Sequence, residues 1–308
     1  MSWSLVTYRT DLESRPRAGV LDAEGRVRRH PVLDGFDGLF EAVQEWDRLA
    51  DALRSSDMTQ GELVADAELL APIRYPRKVM CAGANYPDHL REMGADQPSE
   101  GLRPYFFLVP PSTAIIGPGE QVRITEEDSI RPDYEAELAV VMGRRGKRIP
   151  AELAQDYVAG YTLFNDVTAR GLLSRDMAVA PPFEFDWLNA KGGDSHCPTG
   201  PGLVPSWLVP DPHALSLRLW HNGKLKQDGH TSQMIFNIWE LIAAASERVT
   251  LEPGDIIATG TPAGVGVAQG LALRGGDELV VEADLIGRLT SSVVVEDLIP
   301  AAPISRRS

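Results

Sequence analysis

Residues 133–141 read Asp133-Tyr134-Glu135-Ala136-Glu137-Leu138-Ala139-Val140-Val141, a pattern that is typical of a β-strand. Side chains two apart in a strand point to the same face, so Glu135 and Glu137 project together. The rest of that face is apolar: Ala139 and Val141. The opposite face resembles a protein core: Tyr134, Ala136, Leu138 and Val140. The sequence therefore predicts a core strand that carries two carboxylates side by side.

Two neighbouring carboxylates on a buried strand are unfavourable, because they repel each other and lose their hydration. A hard divalent cation would neutralise them, since carboxylate oxygens suit Mg, Mn or Ca. A third carboxylate, Asp166, follows the apolar run 158–165 and would reach the same cation if the two strands are neighbours. Two simpler interpretations remain open: an edge strand with both glutamates in water, and Asp166 as a turn or N-cap residue.

The composition of the 308-residue chain limits the classes of partner. A formal net charge of −14 argues against nucleic acid or an anionic membrane, although a bound metal would still permit a small anionic substrate. The two cysteines, Cys81 and Cys197, form no CxxC motif, which argues against a disulfide framework or a structural zinc site. The sequence has no apolar signal segment and no run of transmembrane length, so we expect a cytoplasmic protein.

The chain divides into two predicted domains, 1–72 and 73–308, because the proline-punctuated stretch 70–78 separates two different patterns. In the first domain, short strands precede a helical pattern over 37–54 and a second short helix over 59–66. These elements predict a small N-terminal α/β domain.

The second domain is rich in short strands, which predicts a mixed, β-dominated α+β fold and not a doubly wound sheet. The predicted strands are 79–83, 105–109, 122–124, 135–142, 158–165, 216–221, 255–259, 278–283 and 289–295. The predicted helices are 87–93, 151–157 and 235–247. Asn222-Gly223 predicts a tight hairpin, and the polar segment from Asp96 to Gly101 predicts a loop that can move.

Three further segments carry chemically useful groups. His89 and Glu92 share one face of a predicted helix, so the glutamate can orient the imidazole as a general base, although such pairs also decorate surfaces. The glycines of loop 259–266 allow a ligand to approach the backbone, but the loop can equally be an irregular connection. Lys191 supplies a cation on a glycine-containing segment that ends at Asp194.

The order of these motifs resembles the fumarylacetoacetate hydrolase family over residues 73 to 295, in its branch of acylpyruvases and 2-hydroxyhepta-2,4-diene-1,7-dioate isomerases. The matching runs are Cys81-Ala82-Gly83-Ala84-Asn85-Tyr86 with His89 and Glu92, Asp133-Tyr134-Glu135-Ala136-Glu137-Leu138, Asn165-Asp166-Val167-Thr168-Ala169-Arg170, Lys191 with Asp194, Asn222-Gly223, and Thr259-Gly260-Thr261-Pro262. The resemblance implies a mixed β-sandwich roll for the catalytic domain, and a homodimer.

The resemblance also implies roles for individual residues. The implied ligands of Mg²⁺ or Mn²⁺, with Ca²⁺ a further option, are Glu135, Glu137 and Asp166. The implied catalytic residues are His89 with Glu92, which activate water on a lid, and Arg170 with Lys191, which contact substrate and stabilise oxyanion charge. The implied substrate-binding residues are Tyr86, Gly260, Thr261 and Asp194. The implied substrate is a small anionic oxo acid.

Two departures from the family pattern bear on the reaction. Val109 stands where the family usually has lysine, and Leu173 stands where hydrolytic members have a glutamine that helps form the oxyanion hole. Loss of one such donor lowers a rate by about a hundredfold or more. Our first hypothesis is a metal-dependent hydrolase that cleaves a C–C bond in a 2,4-dioxo acid such as an acylpyruvate or fumarylpyruvate. The alternatives are a decarboxylase or keto–enol tautomerase of a 2-oxo diacid, which needs no full oxyanion hole, and a metal-binding homologue without turnover.

Overall fold

The computed structural model describes residues 3–11, 13–95, 101–127 and 129–296. The strands are β1 (Trp3–Thr10), β2 (Glu13–Asp22), β3 (Val27–Arg29), β4 (Glu62–Leu63), β5 (Glu68–Leu70), β6 (Val79–Gly83), β7 (Tyr105–Leu108), β8 (Ile115–Ile116), β9 (Gln121–Ile124), β10 (Pro132–Asp133), β11 (Ala136–Met142), β12 (Val158–Asn165), β13 (Thr168–Ala169), β14 (Cys197–Pro205), β15 (Ser216–His221), β16 (Lys224–His230), β17 (Ile256–Ala258), β18 (Glu278–Ala283) and β19 (Gly287–Val295). The α-helices are α1 (Leu39–Gln44), α2 (Trp46–Ser55), α3 (Pro87–Glu92), α4 (Trp187–Lys191) and α5 (Ile238–Arg248). Short 3₁₀ helices cover Pro31–Leu33, Ala151–Tyr157, Arg170–Leu172, Pro181–Phe183, Ser206–Leu208, Thr231–Gln233 and Val267–Gln269.

Most strands belong to one large sheet, in which the N-terminal strands continue the sheet of the C-terminal region. Its order is β4-β3-β2-β1-β14-β12-β11-β17-β6-β7, with β5 beside β1 and β8 beside β14. The junction is the antiparallel pair β1–β14, where Leu5 faces Leu203. The N-terminal segment thus shares backbone hydrogen bonds with the rest of the protein, and the domain boundary at residue 72 stays a prediction.

A second sheet covers one face of β11 and β12 and encloses the main core. Its order is β16-β15-β18-β19-β9. Alternate residues of β11 point into this core: Ala136, Leu138, Val140 and Met142. They pack with apolar residues of the second sheet and of α5: Leu217, Leu219, Leu279, Val281, Leu289 and Ile242. Two packed sheets with few helices confirm the predicted β-dominated class.

The other face of β11 is also buried, because the N-terminal helices cover it. Ala139 and Val141 share a core with residues of α1 and α2: Leu39, Trp46 and Leu49. The predicted alternation of β11 is therefore confirmed. Glu135 and Glu137 are only 6% and 1% exposed, so the interpretation of an edge strand with solvated glutamates is wrong.

The strand registers bring the chemically useful segments to one end of β11. β11 and β12 are antiparallel, with Ala136 opposite Asn165. Glu135 and Asp166 lie one step beyond this pair, and the Asp166 amide donates to the Glu135 carbonyl at 2.9 Å. On its other edge, β11 pairs antiparallel with β17, so the glycine-containing loop after Ala258 starts at the same end.

Two helix predictions in the N-terminal region need correction. The helix predicted over 59–66 is wrong, because residues 62–63 form β4 beside β3. Gly61 has a φ of 127°, and a side chain there would meet the Arg29 carbonyl oxygen at 2.4 Å, so this segment turns into a strand. The helix predicted over 37–54 is two helices, α1 and α2, which meet at Glu45.

Several predictions in the catalytic region are confirmed. The helices predicted over 87–93 and 235–247 correspond to α3 and α5, and Asn222-Gly223 joins the hairpin strands β15 and β16. The helix predicted over 151–157 is a 3₁₀ helix. Residues 96–100 of the predicted polar loop lie outside the described residues. In the part of the chain that the structure describes, no helix has both the length and the apolar character to cross a bilayer.

Candidate active site

Three carboxylates form a buried cluster at the end of β11. Ligand atoms of Glu135, Glu137 and Asp166 lie within 4.8 Å of one another, and all three residues are buried. The backbone fixes this cluster, because the Asn165 side-chain oxygen accepts from the Glu135 amide at 2.9 Å. The Gly260 amide, from the neighbouring loop, donates to Glu137 Oε2 at 2.6 Å. The predicted juxtaposition of the three acids is therefore confirmed.

Two cations face this cluster. Lys191, at the end of α4, donates from Nζ to Glu135 Oε2 at 2.7 Å and to Asp166 Oδ2 at 2.8 Å. Arg170 starts a 3₁₀ helix after β13 and pairs through Nη2 with Glu135 Oε1. Its Nε donates to Asp133 Oδ2 at 3.0 Å. Both cations are therefore held by the carboxylates that they neutralise.

Burial and charge set different pKa values for the three carboxyl groups. For Glu135, burial raises the pKa, but Lys191 and Arg170 outweigh it and lower the pKa to about 2. For Asp166, burial raises the pKa to about 6, against the attraction of Lys191. For Glu137, burial and the charges of Asp166 and Glu135 raise the pKa well above its ordinary value. Glu137 is therefore the carboxylate that most needs a further positive partner.

The donor set fits a divalent metal ion. Asp166 Oδ1 is buried and has no hydrogen-bond partner among the described residues. A buried oxygen without a partner is costly, at about 1–3 kcal/mol, and this atom is free to bind a ligand. Three carboxylates with a free oxygen are the chemistry that hard cations such as Mg²⁺ or Mn²⁺ prefer, and they leave positions open for substrate oxygens.

The His–Glu pair lies on α3, close to the cluster. His89 Nδ1 is 3.2 Å from Glu92 Oε2. For Glu92, burial raises the pKa, but hydrogen bonds from His89 and from the Gly264 amide outweigh it and lower the pKa. A Glu92 carboxylate places the imidazole proton on Nδ1, which leaves Nε2 as a base.

The loop after β17 is held against β11 by hydroxyl and amide groups. Thr261 Oγ1 donates to the Ala136 carbonyl at 2.8 Å and accepts from Gln227 Nε2 at 2.8 Å. Gln227 Oε1 in turn accepts from the Ala136 amide at 2.9 Å. Ala136 is the residue between Glu135 and Glu137, so these bonds fix the spacing of the two carboxylates.

Most of these groups line one cavity of about 420 Å³. Of the predicted site residues, the cavity is lined by His89, Glu135, Glu137, Asp166, Arg170, Lys191 and Thr261. Leu173 also lines it, whereas Val109 is buried in the apolar core beside the N-terminal helices. The other predicted residues are not on its wall: Glu92 lies behind His89, Gly260 reaches the site through its amide, Tyr86 is fully buried, and Asp194 is exposed. Their roles in the site stay predictions.

Sequence reasoning gave no role to Asp133 or Gln227, although both contact the site. Asp133 is two residues before Glu135, so the strand alternation already indicated that it points towards the cluster. Gln227 is fully buried in β16, but charged residues flank it, so the local sequence gives no signal of its burial. Its contacts with Ala136 and Thr261 join the second sheet to β11 and to the loop after β17, and the sequence does not reveal how the two sheets pack.

The comparisons with known proteins agree with this site. The fumarylacetoacetate hydrolase C-terminal family profile matches residues 78–294, and the chain belongs to this family of enzymes. The oxaloacetate tautomerase YisK of Bacillus subtilis is 43% identical over 292 residues, which cover 89% of this chain and 92% of that protein. The family therefore includes tautomerases as well as hydrolases.

Two solved structures share the fold over almost their whole length. A fumarylacetoacetate hydrolase from Exiguobacterium antarcticum is 31% identical with a TM-score of 0.79, covering 96% of this chain and 100% of that one. A maleylpyruvate hydrolase from Sphingobium sp. SYK-6, in complex with manganese(II) and pyruvate, is 27% identical with a TM-score of 0.75, again covering 96% and 100%. Members of the family thus bind a divalent metal and a small organic acid, and the family resemblance seen in the sequence is confirmed.

Proposed function

We propose that the protein is a divalent-metal-dependent tautomerase that interconverts the keto and enol forms of a 2-oxo diacid such as oxaloacetate. The observation that carries the proposal is Leu173, whose side chain lines the cavity immediately after the helical turn of Arg170. An apolar side chain there cannot donate to the oxyanion of a tetrahedral intermediate, which hydrolysis requires. The 43% identity to an oxaloacetate tautomerase supports the same reaction.

Tautomerisation requires one proton to move between carbon and oxygen. His89 Nε2 would take a proton from the carbon next to the keto group, while Glu92 stabilises the imidazolium through Nδ1. The proton is then delivered to the keto oxygen, so the enol has the same atoms and charge as the keto form. No water attacks and no C–C bond breaks. The reaction therefore has no tetrahedral intermediate whose oxyanion would need a donor.

The remaining groups would bind the acid and stabilise charge. Lys191 and Arg170 place two cations on the cavity wall, where they would attract a carboxylate and the negative charge that grows on the keto oxygen. A divalent cation held by Glu135, Glu137 and Asp166 would polarise the keto group as a Lewis acid. Thr261 would contribute by holding the backbone between the two glutamates.

Hydrolysis of an acylpyruvate is the second candidate. The His89–Glu92 pair is equally suited to activate water, and the cavity of about 420 Å³ has room for more than a four-carbon acid. The fold relationship to a maleylpyruvate hydrolase favours this candidate too. Decarboxylation of the 2-oxo diacid needs the same cations and remains a third outcome to measure.

The experiment is a substrate panel with Mg²⁺ or Mn²⁺. Enol oxaloacetate is followed by the loss of its ultraviolet absorbance, acylpyruvates by the formation of pyruvate, and oxaloacetate by the release of CO₂. We expect acceleration of the enol–keto step, with slow or absent cleavage. Rapid cleavage of an acylpyruvate without any tautomerase activity would falsify the proposal.

Leu173→Gln is the matched variant for this test. A glutamine restores an amide donor next to Arg170, so we expect it to raise acylpyruvate cleavage and to leave tautomerisation unchanged. Leu172→Gln is the control, because Leu172 belongs to the same turn but does not line the cavity. A homodimer and a cytoplasmic location stay predictions from the sequence.

A further inference from the structure

We propose that Asp133 is a positioning residue that holds the Arg170 guanidinium and the hydrogen-bonded His89–Glu92 pair in fixed positions relative to each other. The inference rests on the proposed function, because that function makes Arg170 a substrate contact and His89 the base. Asp133 itself does not line the cavity, so it would act only through the groups that it binds.

The carboxylate of Asp133 is buried and fully engaged. Its Oδ1 accepts from the Tyr134 amide at 2.8 Å and the Gly266 amide at 2.6 Å. Its Oδ2 accepts from the Val267 amide at 3.1 Å and from Arg170 Nε at 3.0 Å. Four donors occupy the lone pairs of both oxygens, so the side chain cannot rotate without losing hydrogen bonds.

This contact fixes the direction of the Arg170 guanidinium. Nε binds Asp133 and Nη2 binds Glu135, so two carboxylates hold two edges of one planar group. A guanidinium held at two points keeps its remaining N–H groups aimed in one direction. If Asp133 lost its charge, only Glu135 would hold the group, and it could pivot about that single contact.

The loop that binds Asp133, residues 264–267, also binds Glu92 of the His89–Glu92 pair. The Gly264 amide donates to Glu92 Oε1 at 2.9 Å, and Glu92 Oε2 contacts His89. The start of segment 264–267 therefore holds Glu92, and its end holds Asp133. The segment is only four residues long, so covalent geometry limits how far the two carboxylates can move apart.

Two glycines make this double contact possible. Gly264 has a φ of 106°, and a side chain there would come within 2.1 Å of the Lys226 carbonyl oxygen. A side chain at Gly266 would come within 2.6 Å of Asp133 Oδ1. The lack of a Cβ lets Gly264 lie against the backbone of β16 and lets Gly266 lie against the Asp133 carboxylate.

The test uses Asp133→Asn in the metal-loaded protein, since this change keeps the shape and removes the charge. The measurements are kcat and KM for enol oxaloacetate, the affinity for pyruvate by calorimetry, and the affinity for Mn²⁺. Asp255→Asn is the matched control, because Asp255 is also fully buried and accepts from a lysine and an amide, but lies away from the cavity. Arg170→Lys and the double variant Asp133→Asn/Arg170→Lys complete a double-mutant cycle.

We expect Asp133→Asn to lower kcat/KM by about a hundredfold, as a displaced catalytic group does, and to weaken pyruvate binding. Mn²⁺ affinity should stay unchanged, and Asp255→Asn should lower only the melting temperature. Pyruvate affinity in the double variant should be no weaker than in Arg170→Lys alone, because Asp133 would act on substrate binding through Arg170. Gly266→Ala, which displaces the carboxylate and keeps its charge, should reproduce the loss and serves if Asp133→Asn does not fold.

Effects of the two substitutions on pyruvate affinity that multiply in the double variant would overturn the inference, and so would wild-type kinetics and pyruvate affinity in both Asp133→Asn and Gly266→Ala. If the wild type does not interconvert enol and keto forms but Asp133→Asn still weakens pyruvate binding, the proposed function fails and the positioning role stands. The two failures are therefore distinguishable.

Discussion

Lys191 Nζ lies 2.7 Å from Glu135 Oε2 in the interior of the protein, with both side chains almost completely buried. The same ammonium group contacts Asp166 at 2.8 Å. Lysine therefore already supplies one positive charge to a cluster of three carboxylates. A divalent cation would supply the charge that is still lacking, which makes the stability of this site dependent on metal.

Lys191→Met should destabilise the metal-free protein by about 3–5 kcal/mol, because it leaves buried Asp166 without a cationic partner and leaves Glu135 with Arg170 alone. Mg²⁺ or Mn²⁺ should recover more stability in this variant than in the wild type. The measurement is chemical denaturation with metal and with chelator. Lys78→Met is the control, since Lys78 pairs with Glu252 and Asp255 away from the cavity. The stability that this variant loses should not be recovered by adding metal. Equal metal responses of the two variants would contradict the prediction.

Metal should raise the melting temperature of the wild type, because the three carboxylates converge only in the folded state. At a metal concentration of 100 times Kd, the expected stabilisation is about 2.7 kcal/mol. Glu137→Gln should abolish most of this increase and weaken metal binding by about a hundredfold or more. Calorimetric titration and thermal melting measure both effects. Glu282→Gln, on β18 away from the cavity, is the control, and an unchanged metal affinity in Glu137→Gln would exclude the proposed cation site.

His89→Gln should lower kcat for tautomerisation by about 10²- to 10⁴-fold, since it removes the only imidazole on the cavity wall within the described residues. Glu92→Gln should have a smaller effect, because the imidazole remains and loses only its orientation and its stabilising charge. Metal affinity should be unchanged in both variants.

His213→Gln is the matched control for these rates. His213 accepts a hydrogen bond from the Ile238 amide at the start of α5 and lies outside the cavity, so its loss should affect stability and leave kcat unchanged. A His89→Gln enzyme with the wild-type rate would rule out His89 as the base.

Asp22→Asn should destabilise the protein at neutral pH and not in acid. For Asp22, burial raises the pKa, but hydrogen bonds from the Arg26 amide and the Arg28 and Arg26 side chains outweigh it and lower the pKa below 3.8. The ionised form therefore stabilises the fold above pH 3.8, and this contribution is lost as the pH falls through the lower, folded-state pKa. Hydrogen bonds to a charged group predict a difference of about 1.5–3 kcal/mol at neutral pH.

Denaturation curves of Asp22→Asn and wild type across this pH range measure the effect. Asp228→Asn is the control, because its pair with Arg218 is largely exposed and should contribute little at any pH. A difference between Asp22→Asn and wild type that stays constant down to acid pH would contradict the prediction.

The alternation of apolar and acidic residues in β11 shows what can be predicted from a short stretch of sequence. The positions of Glu135 and Glu137 on one face, and of Leu138 and Val140 on the other, follow from the period of two and are confirmed by the two cores. The strand β14 was not predicted, because its glycines and prolines break that alternation, and the backbone pairs of β1 and β12 hold it in the sheet. In β14, backbone pairing with distant strands therefore outweighs the low strand propensity of the local sequence.

The strand face with two carboxylates and the family resemblance can both be recognised from the amino-acid sequence. The folded arrangement is needed to show that both faces of this strand are buried, that Lys191 bridges Glu135 and Asp166, and that Asp133 joins Arg170 to the loop beside Glu92. Alternation within a strand is a local consequence of backbone geometry, so a short stretch reveals it. Contacts between residues that are tens of positions apart depend on the register of several strands at once, and no short stretch encodes that register.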